Sequence, residues 1–481
     1  MNRPGPRTVF WLVLAVTLLG LTSACNRRPE RPNIVLILAD DLAWNQLGCY
    51  GSSFYETPHL DALARQGMRF TDAYAASPIC SPTRASIMTG KNPARLRVTQ
   101  FISPGDYAGN AVKLLEPDWT RRLPLEEETV AEALKDSGYV TAAFGKWHLS
   151  QAKTPPGSLP FNPDKQGFDD HFVTYKPVPR MAREWQTPEN DAHNVRIITD
   201  RSLEFMEKNR ERPFFLFVSH NSVHTPLVEK EALISKYRAK PDADAPTNHP
   251  VIGAMIETLD LSVGRLLAKL DELDLSERTL VLFFSDNGGL EWSDGNGQGP
   301  ANHPLRAGKG DLYEGGIRVP LIARWPTVVA PGSVVEEPVS SVDLFPTFVE
   351  AAGGDGKHDD IDGVSLLPLL RGAASLDRDA LFWHYPHYHG SGALPSSAVR
   401  KGRFKLLEWH EERIFGLENR YELFDLTGDL GESTDLASGR PEKTRELAAD
   451  LENWRNSVGA QMPRRNPDYR SAGGPDTSRK D

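Results

Sequence analysis

Cysteine is nearly absent from this chain: three occur in 481 residues, at positions 25, 49 and 80. A disulfide framework is therefore excluded, and the fold must rest on a hydrophobic core. A basic excess is also missing. Lys and Arg number 55 against 65 Asp and Glu, a net charge of −10. A general nucleic-acid binder needs a broad positive field, so that class is excluded. An anionic small ligand is not, because a local cluster of Lys, Arg and His binds one inside an acidic protein. No internal repeat is present. The apolar stretch from Val9 to Leu21 falls short of the roughly 20 residues that span a bilayer. What remains is ordinary: 39% hydrophobic and 25% charged residues, ample for a core. The length suits about two to four domains, or one large domain with a smaller companion.

The N-terminus reads as a targeting segment. Arg3 and Arg7 supply positive charge, the apolar stretch follows, and Thr22-Ser23-Ala24 places small residues before Cys25. This arrangement resembles the bacterial lipobox, in which the signal is removed and the new N-terminal cysteine is lipidated. Polar Asn26-Arg27-Arg28-Pro29 follows at once. An ordinary cleaved signal or an uncleaved anchor is the competing reading. The expectation is a lipoprotein signal over residues 1–25. The mature protein is then an exported bacterial lipoprotein, periplasmic or at the cell surface, anchored through lipid without spanning the membrane.

Several apolar runs share one design. Asn33 to Ala39 ends in Asp40-Asp41, and Thr279 to Phe284 ends in Ser285-Asp286-Asn287-Gly288-Gly289. Pro213 to Val218 leads to Ser219-His220 and His224, and Tyr139 to Phe144 leads to Gly145-Lys146-Trp147-His148. Short continuous apolar runs bounded by turn residues predict strands buried on both faces. Helical patterns lie between them, over Leu60–Gln66, Thr129–Ser137 and Val251–Leu273. Alternating strands and helices predict an α/β fold with a large, mostly parallel sheet flanked by helices. Ligands of such sheets bind outside the carboxyl ends of the strands, where these polar residues fall. Past Gly353 the texture changes to alternating segments, Ser397–Arg400, Arg403–Trp409 and Tyr421–Leu426, then a helix from Glu442 to Val458. The expected division is a catalytic domain over 26–355, an α+β subdomain over 356–462 and a disordered tail over 463–481.

Asp40, Asp41, Asp286 and Asn287 are hard oxygen donors at two strand ends. Such a set suits Ca²⁺ or Mg²⁺ better than zinc. Cys80 opens the run Cys80-Ser81-Pro82-Thr83-Arg84-Ala85-Ser86-Ile87-Met88-Thr89-Gly90, a thiol beside a Ser-Pro turn with an arginine four residues on.

This run resembles the first signature of the type I, formylglycine-dependent sulfatases, arylsulfatase-like members of the alkaline phosphatase superfamily. Pro32 to Leu42 resembles the N-terminal segment of that family, and Gly138 to Leu149 its second signature, with Phe144 where a smaller aliphatic residue is usual. Gly308-Lys309-Gly310 with Tyr313 to Pro320, and Leu423 to Glu432, resemble further segments in the expected order. The resemblance implies an alkaline-phosphatase-like fold and hydrolysis of a sulfate ester. It implies that Cys80 is oxidised to formylglycine (3-oxoalanine) by a formylglycine-generating enzyme. Asp40, Asp41, Asp286 and Asn287 then hold a divalent cation, Ca²⁺ with Mg²⁺ as the alternative. Arg84 steadies the aldehyde hydrate, Lys146, His224 and Lys309 contact the sulfate, and His148 binds the second hydroxyl and serves as base. His224 or Lys309 protonates the leaving oxygen. A Cys49–Cys80 disulfide is the plainer alternative for the thiols.

Specificity rests on weaker signals. Trp383-His384-Tyr385-Pro386-His387-Tyr388-His389-Gly390 is an aromatic and histidine cluster whose rings suit sugar faces, with His384 and His387 as binding candidates; a structural loop is the equal alternative. His303, Arg306 and His220 are further rim candidates. A sulfated glycan or a small sulfate ester is the expected substrate. The alternatives are a phosphonate or phosphate ester hydrolase of the same superfamily, and a catalytically silent sugar-binding lipoprotein.

Overall fold

The computed structural model describes residues 31–102, 112–150, 160–175, 191, 193–293, 298–356, 360–418 and 420–469. The expected targeting segment with Cys25, and residues 357–359 of the expected crossing near Gly353, lie outside them.

The strands expected from the apolar runs form the centre of an eight-stranded sheet. In chain order its members are β1 (Asn33–Ala39), β2 (Met68–Phe70), β3 (Val140–Lys146), β4 (Asp170–Thr174), β5 (Phe214–Ser219), β6 (Thr279–Ser285), β7 (Leu321–Arg324) and β8 (Ser333–Val335). Their spatial order is β8-β2-β7-β6-β1-β5-β3-β4. Only β7 runs antiparallel to its neighbours, β6 and β2. The register places Leu36 of β1 opposite Phe217 of β5 and Leu282 of β6.

Successive strand side chains point to opposite faces, and both faces are buried. Ile34, Leu36, Leu38, Phe215, Phe217 and Leu282 join one core with Ile87, Val130, Leu134 and Phe345. Val35, Ile37, Leu216, Val218 and Phe283 join a second, packed against α1 (Pro58–Gln66), α2 (Val195–Lys208) and α3 (Pro250–Glu272). This two-sided burial is why the strands read as continuous apolar runs rather than alternating ones. Strands β6, β1, β5 and β3 are adjacent and parallel, so their carboxyl ends share one edge.

The C-terminal part is a four-stranded antiparallel sheet, Ala380–Tyr385, Ser396–Lys401, Phe404–Trp409 and Tyr421–Asp425 in sequential order. A helix, Pro441–Val458, covers one face, where Leu447 and Leu451 pack on Val399, Leu406 and Leu423. The opposite face meets the large domain. There Trp383, Tyr385, Ala398, Leu407 and Phe424 bury Tyr74, Ile79, Leu312, Tyr313 and Ile317. The segment between Leu305 and Ile317 is thus braced between the two domains.

The stretch expected as a disordered tail from residue 463 begins differently. Arg464-Arg465 pairs antiparallel with Leu114-Leu115, and the Asn466 side chain donates to the Val112 carbonyl at 2.8 Å. Composition there is polar, but the backbone finds partners in a distant loop. Residues 470–481 lie outside the described part. Among the described residues no helix is long and apolar enough to cross a membrane.

Candidate active site

Cys80 is the first residue of a helix, Cys80–Thr89, in which every residue is buried. The Ser81-Pro82 pair, expected as a turn, is the first turn of that helix. Proline is tolerated there because its missing N–H would have had no intrahelical partner. Gly90 closes the helix at φ 68°. Arg84 lies one turn after Cys80, hence on the same helix face.

The strand ends bring the remaining residues together. Arg84 donates from Nε to Asp286 Oδ2 at 2.8 Å, and from Nη1 to the Lys146 carbonyl at 2.8 Å and Ser219 Oγ at 2.6 Å. One buried guanidinium therefore ties the ends of β6, β3 and β5. Lys146 Nζ donates to both oxygens of Asp40, at 2.8 and 2.7 Å. Lys309 Nζ lies 2.7 Å from each oxygen of Asp41. The Asp41 N–H donates to Asp286 Oδ1 at 3.2 Å. Three carboxylates thus face three cations within the protein interior. Close backbone approach permits the arrangement: a Cβ on Gly145, at φ 112°, would meet the Ser219 carbonyl oxygen at 1.8 Å. Asp41 and His148 both adopt positive φ, 62° and 57°. For residues other than glycine such conformations are held by the surroundings and cluster at functional sites.

The electrostatics follow from burial and neighbours. Burial alone would raise Asp41, but Lys309, then His224 and Lys146, hold its carboxyl far below the usual range. Asp286 is pushed up to about 6, by burial and by the charge of Asp40, against the pull of Arg84. Burial opposes the ammonium of Lys309, yet Asp41 and the nearby Cys80 and Asp40 outweigh it and raise its pKa. Burial also raises the Cys80 thiol. A nucleophilic cysteine needs a depressed pKa, so Cys80 is not prepared to act as a thiolate.

Cys80 Sγ sits 3.2 Å from His148 Nδ1, and His148 Nε2 sits 3.0 Å from the Ile102 carbonyl oxygen. A carbonyl only accepts, so Nε2 carries the proton and Nδ1 presents a lone pair to residue 80. Ser81 completes the support: its Oγ donates to the His148 carbonyl at 2.8 Å and accepts from the Ile102 N–H at 3.0 Å. Burial, then Lys146 and Arg84, push His148 well below its ordinary pKa. The ring is a neutral acceptor at neutral pH.

The donor set fits a hard cation. Atoms of Asp40, Asp41 and His224 lie within 4.8 Å of one another. Asn287 donates through Nδ2 to Asp41 Oδ1 at 2.8 Å, while its buried Oδ1 has no hydrogen-bond partner. An orphaned acceptor beside three carboxylates is a ready ligand for a hard cation. His224 Nε2 lies 3.7 Å from Asp41 Oδ2, and its Nδ1 lies 2.7 Å from the Thr225 carbonyl oxygen.

Other sequence candidates are not brought to this cluster. His220 is fully buried with Nε2 3.1 Å from Ser262 Oγ. His384 is buried between Ser397 Oγ, at 2.7 Å, and the Gln461 carbonyl, at 2.9 Å. His387 is buried between Thr99 Oγ1, at 2.8 Å, and Glu116, at 2.9 Å. Both nitrogens of each of these last two rings are engaged by the protein, which makes them structural. His303 is exposed and contributes its carbonyl to Asn45 Nδ2. Arg306 turns toward the C-terminal domain, lying over the Tyr313 ring at 3.8 Å and donating to the Glu432 carbonyl at 2.9 Å. Sequence reasoning missed Ser219, Ser81 and Ile102 as supports; only their positions beside Lys146-type and Cys80-type motifs hint at them. Cys49 and Cys80 are both free thiols, so the disulfide alternative is not realised.

Residues 32–354 match the family described as Sulfatase, and residues 308–457 match N-sulphoglucosamine sulphohydrolase, C-terminal. The chain is 34% identical to human (Homo sapiens) arylsulfatase A, over 87% of this chain and 86% of that one. It is 30% identical to a sulfatase of Formosa agariphila, over 93% and 92%. A solved structure titled Ps i-CgsB, also determined in complex with k-i-k-neocarrahexaose, matches with TM-score 0.73 and 27% identity, covering 90% of this chain and 94% of that one.

Proposed function

The chain belongs to the sulfatase family and is a sulfate ester hydrolase, and from that premise we propose that it releases inorganic sulfate from a sulfated carbohydrate through a formylglycine made from Cys80. The observation that carries the reading is the pairing of Cys80 Sγ with the lone pair of His148 at 3.2 Å, inside a buried set of matched cations and carboxylates. When present, the formylglycine hydrate supplies one hydroxyl to displace the alcohol at sulfur and a second to drive sulfate off, while a divalent cation polarises the ester. Asp40, Asp41, Asp286 and Asn287 would hold the cation. Ca²⁺ suits this hard donor set, with Mg²⁺ as the alternative.

The chain's own residues do the rest. Lys146 and Lys309 take the sulfate oxygens and stabilise charge that grows on them. To do so their ammonium groups leave Asp40 and Asp41, the carboxylates that would hold the cation. His148 takes a proton at Nδ1, its tautomer fixed by Ile102. His224 acts as the imidazolium beside Asp41: its Nδ1–H stays on the Thr225 carbonyl and its Nε2–H passes to the leaving oxygen. Arg84 keeps the three strand ends and Asp286 in register. The targeting segment supports an exported lipoprotein matured by a formylglycine-generating enzyme. The carbohydrate reading is supported by the similarity to the solved structure bound to neocarrahexaose.

The test uses the full chain produced with the maturing enzyme. Defined sulfated oligosaccharides, an aryl sulfate and an aryl phosphonate are compared by release of sulfate or phosphonate. Sulfate release from at least one oligosaccharide is expected; preferred turnover of the phosphonate, or binding without turnover, overturns the reading.

A further inference from the structure

The Trp383–Gly390 cluster does reach the site, through a residue other than His384 or His387. His389 lies against the backbone that carries Lys309. A Cβ on Gly310, at φ 99°, would meet His389 Nδ1 at 2.4 Å. Gly310 in turn donates its N–H to the Pro78 carbonyl at 2.9 Å, two residues before Cys80. On its other side the His389 ring stands edge-on to Phe101, with centroids 6.2 Å apart and planes at 81°. Phe101 precedes Ile102, whose carbonyl fixes His148. His389 therefore sits where the Lys309 loop, the His148 anchor and the C-terminal domain meet.

The ring's orientation and tautomer are set locally. The Ser391 N–H lies 3.2 Å from His389 Nδ1, and Ser391 Oγ lies 2.8 Å from it. The backbone N–H can only donate, so Nδ1 accepts and the neutral ring carries its proton on Nε2. The turn itself is closed by two backbone bonds, His389 N–H to the Ala393 carbonyl at 3.1 Å and Gly392 N–H to the His389 carbonyl at 3.0 Å. Next to it, Cβ positions built on Gly390 and Gly392 would meet no atom within 4 Å. The loop is a hydrogen-bonded rim with open space beside it.

We propose that His389 determines specificity for the leaving group: its Nε2–H donates to an oxygen of the sugar released from sulfate, above the apolar floor formed by Phe101. This rests on the carbohydrate reading. Lys146 and Lys309 take the sulfate, so the alcohol portion must project away from them, toward this rim. A neutral donor selects a hydroxyl or ring oxygen, and an aryl ring offers none at that place. The sulfate falls to Lys146 and Lys309, so removing His389 acts on the choice of alcohol rather than on the reaction common to all esters.

The experiment compares kcat/KM for the oligosaccharide turned over fastest with kcat/KM for p-nitrophenyl sulfate. The ratio is measured in the mature full chain and in His389→Ala and His389→Gln. Losing one hydrogen bond to substrate predicts a fall in the ratio of roughly three- to tenfold for alanine. Glutamine, whose amide reaches the place of Nε2–H, restores at least half of that loss. A ratio unchanged in both variants, an equal fall on both substrates, or glutamine behaving as alanine overturns the inference. If alanine lowers the melting temperature so far that it cannot be assayed, His389→Asn, a donor too short to reach, takes its place with the same expectation. Sulfate release from the aryl ester and from no oligosaccharide overturns the carbohydrate reading, and this inference falls with it.

Discussion

Cys80 Sγ and His148 Nδ1 face each other at 3.2 Å, with the opposite nitrogen of the ring committed to the Ile102 carbonyl. The pair fixes which atom moves the proton. His148→Ala should lower kcat by about a hundredfold or more, the usual contribution of a positioned base. Burial, with Lys146 and Arg84, holds the ring's pKa well below 6.5. The acidic limb of kcat assigned to His148 therefore lies far under pH 6.5. A kcat profile that halves near pH 6.5 in the wild type, and loses that limb in His148→Gln, would contradict this assignment.

Cys80→Ala should abolish sulfate release and leave the fold intact. The side chain is buried and small, so truncation costs about 1 kcal/mol or less of packing. Circular dichroism and a melting temperature near that of the wild type check the fold. Peptide mass spectrometry of the wild type checks the conversion of thiol to aldehyde. Turnover by a chain in which residue 80 remains an unmodified thiol would reject the mechanism, because burial raises that thiol's pKa.

The legibility of this chain was uneven for physical reasons. Strands β1, β3, β5 and β6 are buried on both faces, so each appears as an apolar run with its functional residues directly after it. Asp40, Asp41, Lys146, Asp286 and Asn287 could be placed that way. Strand β7 could not: Leu321–Arg324 has four residues, and its antiparallel direction depends on partners far away in sequence. The helix starting at Cys80 was masked by Ser81-Pro82, which reads equally as a turn and as a first helical turn. The histidine cluster was visible, but a six-residue strand, Ala380–Tyr385, runs through it. His384 belongs to that strand and His387 to the buried turn after it, while His389 lies beyond on the rim. Sequence shows that histidines are near one another, and only the fold shows which one lies against Gly310.

The buried histidines of the C-terminal domain predict acid lability. Ser397 Oγ lies 2.7 Å from His384 Nδ1 and 2.8 Å from His410 Nε2. Burial pushes His384 down to about 3, and burial, then His384 and Arg455, push His410 well below its ordinary value. Both rings stay neutral when folded, whereas the unfolded chain binds protons below about pH 6.5. Their contribution is complete above that pH and is lost as pH falls toward 3. At pH 5 the loss is about 2 kcal/mol for His384. Carboxylates raised by burial, such as Asp260 at about 6, act in the opposite sense, so the variant isolates the effect. His384→Gln should shrink the drop in melting temperature between pH 7 and pH 5. An equal drop in both proteins would show that these rings do not set it.

Chelation should separate the metal site from the rest of the fold. A cation that binds only the folded chain adds about 2.7 kcal/mol at a hundred times its dissociation constant. Removing it should lower the melting temperature by several degrees and abolish turnover, with recovery on Ca²⁺ addition. Asn287→Ala should reduce that calcium-dependent shift, because Asn287 Oδ1 has no other partner. Asn287→Asp should keep a shift and move its calcium dependence. A melting temperature indifferent to both chelator and calcium would argue against a cation at Asp40, Asp41, Asp286 and Asn287.

The joint between the domains gives the last prediction. Lys405, fully buried in the C-terminal sheet, lies 2.9 Å from Glu314 Oε1 and 2.8 Å from Glu432 Oε1. Glu432 Oε2 accepts the Glu314 N–H at 2.6 Å, and its carbonyl accepts from Arg306. Arg306 belongs to the segment that presents Lys309: its own carbonyl accepts the Gly315 N–H at 2.9 Å. Lys405→Met removes the cation the two buried carboxylates share, leaving Glu314 with Arg318 at 3.2 Å. Breaking such a group from one side costs about 3–5 kcal/mol. Replacing Glu432 as well, by Gln, removes one of the stranded charges and should recover part of that stability. If the joint positions Lys309, Lys405→Met raises KM for sulfate esters more than it lowers kcat, and Glu432→Gln alone does so mildly. Melting temperatures and steady-state kinetics of the two single variants and the double variant decide it. A purely structural joint would lower the melting temperature and leave KM where it was.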